Sequence, residues 1–116
     1  NSGLNLLCTP GNDVESTTAM AGSGANLIIF TTGLGTPTGN AIAPVIKISS
    51  NTSVFKKMSD IIDFNSGSVV EGTQTMESLS TELLDYIIQV ASGEIKTKSM
   101  ENRQYDFLPW KRDISL

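Results

Sequence analysis

The chain has no histidine and one cysteine among its 116 residues. The first absence removes the commonest general base and the commonest transition-metal ligand from this segment. The second excludes an internal disulfide and fits a reducing cytoplasm. Cys8 closes an apolar run and has no histidine to activate it, so an inert core thiol is expected there. Cations are also sparse: eight Lys and Arg against twelve Asp and Glu give a net charge of -4. No segment before the tail gathers them into a patch, so neither nucleic acid nor an anionic membrane surface is expected as a partner. Long apolar runs are missing too. Residues 26–30 and 44–48 are the longest, far short of the roughly 20 residues of a spanning helix. No charged stretch followed by an apolar one opens the sequence, so secretion is not expected.

What is present reads as one compact domain, because a chain of this size buries one core and seldom two. Hydrophobic residues make up 39% of the chain and cluster in periodic runs, which favours folding over disorder. Strand-like sequence begins three residues in, the mark of a domain belonging to a longer protein. Leu4, Leu6, Leu7 and Cys8, stopped by Thr9-Pro10-Gly11, predict a strand buried on both faces. Asn12-Asp13-Val14-Glu15 has the form of a capping box and predicts a helix over 13–21 made mostly of small residues. Such a helix either packs closely on a sheet or leaves its N-terminus open to an anion.

Residues 26–30 predict a second buried strand, forming a right-handed βαβ unit with the first, and 45–49 a third. Cap residues Ser50-Asn51-Thr52 precede Val54, Phe55, Met58, Ile61 and Ile62, whose spacing predicts an amphipathic helix. A turn over 63–67 and an edge strand at Val69-Val70 follow. Met76, Leu79, Leu83, Leu84, Ile87, Ile88 and Ala91 predict the longest helix, over 75–92, with Gly93 as its C′ residue. The aromatic and apolar residues of "YDFLPWKRDISL" are expected to dock on this domain or a neighbouring one. We divide the chain into an α/β domain at 1–95 and a docking tail at 96–116. The fold class expected is α/β: a three-layer open, mostly parallel sheet, Rossmann-like, with flanking helices in a single domain.

In such sheets ligands bind outside the carboxyl ends of the strands. Three loops are expected to leave those ends: "CTPGND", "TTGLGTPTG" and "SSNT". Gly33, Gly35 and Gly39 permit a positive φ or a close ligand approach, and successive N–H groups there can form an anion-binding nest. Thr31, Thr32 and Thr36 add donors and acceptors suited to a polyhydroxylated molecule. The motif is neither a dinucleotide fingerprint, since Pro37 stands where the phosphate helix should propagate, nor a Walker loop, since it lacks G-K-[ST]. On composition alone a structural glycine turn and a binding loop stand level. Asp13 is the acid best placed for chemistry, although capping is the commoner role of such acids. Lys47 is read as a snorkelling surface lysine ahead of a substrate-carboxylate contact. Asp60 and Asp63 are read as a solvated face or turn ahead of a metal site.

Across almost the whole chain, the blocks P-G-N-D, F-T-T-G-x-G-T-P and P-x-I-K-I, with "DIIDFNSGSVVEG" and the closing "DFLPWKRDISL", resemble the C-terminal part of the altronate dehydratase and galactarate dehydratase family of sugar-acid hydro-lyases. "TPTGNAIAPVIKISSN" and the P-W-K-R ending look more like the altronate branch. Where many members carry arginine in T-T-G-R-G-T-P this sequence has Leu34, and Thr38 stands where others have phenylalanine. A cationic contact to a second substrate carboxylate is thereby lost, which suits a mono-acid.

The resemblance implies dehydration of D-altronate to 2-keto-3-deoxy-D-gluconate in hexuronate catabolism, in the cytoplasm, with a related galactarate or sulfolactate lyase, or a non-catalytic assembly module, as alternatives. It implies a divalent metal, iron or manganese, held by the rest of a longer enzyme, whose other domains, a homo-oligomer and the sugar acid would be the partners. By motif, Asp13 is carried over as acid or base. Asn12, Thr31, Thr32, Gly33, Gly35, Thr36 and Lys47 are carried over as substrate-binding residues.

Overall fold

The computed structural model describes residues 3–109. Three parallel strands form an open sheet in sequence order: β1 (Ile28–Thr32), β2 (Val45–Ser49) and β3 (Phe64–Asn65). Register is set by the apolar pattern, with Ile28 opposite Val45 and Thr32 opposite Ser49. All five residues of β2 are buried, as expected of a central parallel strand covered on both faces. β1 is an edge, and its residues alternate in exposure.

Helices cover both faces. On one, Ile28, Val45 and Ala43 pack with Met20 of α1 (Asp13–Gly22). On the other, Ile46 and Ile48 pack with Leu83, Tyr86, Ile87 and Val90 of α4 (Met76–Ala91). Both long helices stop as their glycines dictate. Gly24 (φ 98) and Gly93 (φ 80) take left-handed conformations, and the bonds Ala25 N–H to Met20 O and Glu94 N–H to Gln89 O close Schellman motifs. Among the described residues there are also three shorter helices: α2 (Thr52–Lys57), α3 (Gly67–Val70) and α5 (Lys98–Glu101). No helix among the described residues is long and apolar enough to cross a membrane.

Several local expectations are corrected. Residues 4–8 are not a strand: Leu4 and Leu6 are each 94% exposed, and Cys8 is exposed instead of in a core. Hydrophobicity proposes a strand, but a ladder partner is needed to make one, and without it the expected first βαβ unit is absent. β1 and β2 are joined by residues 33–44 with no helix between them, an unusual connection for parallel neighbours. The capping box is not formed; the Asn12 amide donates to Glu15 Oε1 at 3.1 Å, and no side chain caps α1. α2 stops at Lys57, after which a turn delivers Ile62 to the core at 1% exposure. The expected turn at 63–67 contains β3, and the expected edge strand at Val69-Val70 is α3. The Asn65 side chain accepts Gly67 N–H at 3.0 Å and opens that helical turn.

Residues 104–108 approach two earlier segments of the chain. Leu108 N–H donates to Thr18 Oγ1 at 3.2 Å, and a Cβ on Gly39 would collide with the Gln104 carbonyl oxygen. Tyr105 and Phe107 nevertheless remain exposed. Trp110 lies outside the described residues.

Candidate functional site

Asp13 enters the first turn of α1 and meets the long β1–β2 connection. Its Oδ2 accepts a 2.8 Å hydrogen bond from the Thr36 hydroxyl. The Thr36 and Thr38 hydroxyls lie 2.9 Å apart, and Thr38 N–H reaches Thr36 Oγ1 at 3.3 Å. A hydroxyl has one proton to give, so Thr36 donating to Asp13 obliges Thr38 to donate to Thr36. The result is a directed chain ending on a half-buried carboxylate, with Thr36 and Thr38 both buried.

Lys47 stands behind this chain. It is fully buried, contrary to the surface reading, and its Nζ donates to Thr38 O at 3.3 Å and Pro37 O at 3.4 Å. Alternation along β2 turns Lys47 to the same sheet face as Val45, where the connection folds over it. Burial pushes its ammonium below the ordinary 10.5, against the opposing pull of Asp63 and Asp106.

Asp63 is not a solvated turn residue. Its Oδ2 accepts Lys47 N–H at 2.7 Å and its Oδ1 accepts Lys98 N–H at 2.6 Å. Burial raises its pKa, opposed by those two N–H bonds and by the nearby lysines. Burial first, then the charges of Asp63 and Glu101, push the Tyr86 phenol up to about 12. A folded pKa above the ordinary 10.0 contributes stability that is whole below the lower value and lost as pH rises through the higher one. Urea unfolding of the wild type should therefore weaken between those two pH values, and Tyr86→Phe should flatten that decline. An equal slope in both would contradict the assignment.

The remaining candidates divide. The Thr32 hydroxyl accepts Gly35 N–H at 2.9 Å and fixes the turn that holds Gly35 at φ 94 over Met58. Thr31 is exposed on the opposite face of β1 from Thr32. Asn12 is turned to Glu15. Gly33 lies where a Cβ would touch Ser50 Oγ at 3.7 Å, and it lines a cleft of about 290 Å³ with Ser50, Asn51, Thr52, Gly67 and Glu71.

That cleft sits where β1, β2 and β3 all end, the rim at which parallel sheets bind ligands. Asp13, Thr36 and Lys47 do not line it. The three expected loops thus meet in pairs: "CTPGND" with "TTGLGTPTG" through Asp13 and Thr36, and "TTGLGTPTG" with "SSNT" through Gly33 and Ser50. Sequence reasoning misread Asp63 as a solvated residue, noted Thr38 only as a departure from the family motif, and missed Glu71. Only the alternation of hydroxyls in T-P-T offered a signal, for Thr38.

Among the described residues no three His, Cys, Asp or Glu side chains group as a metal-ligand set. What the arrangement offers is an acid with an ordered hydroxyl chain behind it and, at the strand-end rim, a polar cleft that neither lines.

The family model for the C-terminal region of D-galactarate/altronate dehydratase matches residues 1–115. The chain is 40% identical over 105 residues to altronate dehydratase of Escherichia coli, covering 90% of this chain and 20% of that protein. It is 40% identical over 93 residues to altronate dehydratase of Bacillus subtilis, with 80% and 18% covered. Galactarate dehydratase (L-threo-forming) of Escherichia coli is 38% identical over 97 residues, with 84% and 18% covered. The chain therefore spans about a fifth of the length of these curated relatives.

Proposed function

The chain belongs to the D-galactarate/altronate dehydratase C-terminal family, and from that premise we propose that it serves as the C-terminal domain of a longer hydro-lyase converting D-altronate to 2-keto-3-deoxy-D-gluconate. The observation that carries its part in the chemistry is the 2.8 Å bond between Asp13 and Thr36, which joins the two motif loops around one carboxylate. Elimination of water from a sugar acid removes the proton α to the carboxylate and expels the neighbouring hydroxyl, so it needs a positioned base, a positioned acid and stabilisation of the enediolate.

In this reading Asp13 moves a proton at the reacting carbons, while the Thr38–Thr36 chain keeps its carboxylate aimed. The rim cleft holds the hydroxylated part of the substrate. Thr32 acts by shaping the glycine turn. Lys47 acts from behind, by fixing the backbone at Pro37 and Thr38. The donors described here do not fit the divalent cation that the family resemblance implies, and in this reading its ligands and the remaining groups are supplied by the rest of the longer protein.

The test is steady-state dehydration by the full-length protein offered altronate, galactarate and sulfolactate. Altronate is expected to give the highest kcat/KM, and the isolated chain to turn over none of them. A preference for galactarate or sulfolactate would move the assignment to that branch. Turnover by the isolated chain would remove the need for the other domains. A second reading, as an assembly module, is favoured by Leu4, Leu6, Ile42 and Phe107, each at least 67% exposed, since such residues in a piece of a larger protein mark contact surfaces. Unchanged kinetics but altered subunit assembly in site variants would support it.

A further inference from the structure

We propose that the rim cleft receives the uncharged, hydroxylated end of the substrate, and that Glu71 at its mouth sets the preference for an acid with one carboxylate over an acid with two. The proposal rests on the sugar-acid reading above and deepens it.

Among the described residues no lysine or arginine lines the cleft, and Glu71 is its one charged residue. Glu71 is placed there by the end of α3, where its N–H donates to Gly67 O at 2.9 Å. Several main-chain donors at or beside the cleft are already bonded. Ser53 N–H and Val54 N–H are bonded to Asn51 Oδ1 at 2.9 and 3.2 Å, and Gly67 N–H to Asn65 Oδ1 at 3.0 Å. An entering carboxylate would meet the like charge of Glu71 with no cation among the described lining residues to offset it, which is unfavourable even where water screens it.

A hydroxylated carbon chain meets the opposite situation. Among the described residues the Ser50 hydroxyl and the Asn51 amide nitrogen have no hydrogen-bond partner, and both residues line the cleft. Together they offer three donor hydrogens and an acceptor oxygen at a strand-end rim, the pattern that recognises sugar hydroxyls. The volume of about 290 Å³ is at the small end for ligand pockets and suits part of a six-carbon acid. Leu34, at the tip of the neighbouring turn, is 87% exposed and adds no charge.

The experiment is steady-state kinetics of the full-length protein with altronate and galactarate side by side, comparing wild type with Glu71→Gln and Glu71→Lys. Glu71 is exposed, so neither change threatens the fold. The ratio of kcat/KM for galactarate to that for altronate is expected to rise about tenfold in Glu71→Gln and further in Glu71→Lys, the scale of one like-charge contact near a surface. The rise should lie in the KM for galactarate and not in kcat. Raising ionic strength should narrow the wild-type gap. Where galactarate is not turned over, its Ki against altronate is read in the same way. A ratio unmoved in both variants, with altronate still turned over, overturns the role of Glu71 alone. Turnover of neither acid by the wild type overturns the sugar-acid reading and this inference with it.

Discussion

Asp13→Asn in the full-length protein is expected, on the proposed reading, to lower kcat for altronate about a hundredfold or more, the usual scale for removing a positioned acid or base, with a much smaller change in KM. The substitution is a clean one. Asn keeps an oxygen that can accept the 2.8 Å bond from the Thr36 hydroxyl, so the loop-to-helix contact survives and only the ability to take and return a proton is lost. Thr36→Val complements it. The branched shape is retained, while the hydroxyl that orients Asp13 and accepts from Thr38 is removed. About a tenfold loss is expected there, because misaiming a catalytic group costs less than deleting its function. If Asp13→Asn left kcat within about threefold of wild type, with the oligomer intact, Asp13 would be a first-turn acid that merely favours its helix.

The second large effect is on stability. Lys47→Ala is expected to destabilise the domain by about 3–5 kcal/mol, measured by urea or thermal unfolding. Truncation removes a fully buried side chain and leaves a cavity beneath the connection. It also deprives the Thr38 and Pro37 carbonyls of their donor and takes away one of the two lysines that act on Asp63, along with a cation near Asp106. Lys47→Met separates these terms. It refills most of the volume and removes a charge whose own burial is unfavourable, so its cost should be about 1–3 kcal/mol, from the two carbonyls.

The ammonium's lowered pKa gives a further signature. The folded state binds that proton less readily than the unfolded chain, so Lys47 makes stability rise as pH climbs toward 10.5. Lys47→Met should lose that component of the slope. An alanine variant within about 1 kcal/mol of wild type would show that the connection is held by other contacts.

How much of this was legible depended on how local each signal is. α4 and its Gly93 stop could be read because helical periodicity and a left-handed C′ glycine are properties of neighbouring residues. β2 could be read because a strand covered on both faces needs a continuous apolar run. The same reasoning failed at 4–8, where an apolar run has no ladder partner, and at 67–70, where the Asn65 side chain starts a helical turn that the β-branched pair Val69-Val70 did not announce.

Lys47 failed differently. Nothing in I-K-I says whether the odd residue of a strand points to water or under a twelve-residue connection, and only the path of 33–44 across the sheet face answers that. Asp63 was misread for a related reason, since both N–H groups it accepts come from residues distant in sequence.

The sequence by itself determined the family, the parallel α/β class and the motif loops carrying Asp13, Thr36 and the glycines, because these reside in short blocks of adjacent residues. Tertiary structure decided which of those residues meet. It linked Asp13 to Thr36, sealed Lys47 beneath the connection, sent Thr31 to the other face and opened a polar cleft with Glu71 at its mouth. Such contacts depend on how segments far apart in the chain cross, and burial and hydrogen bonding act only once that crossing is made.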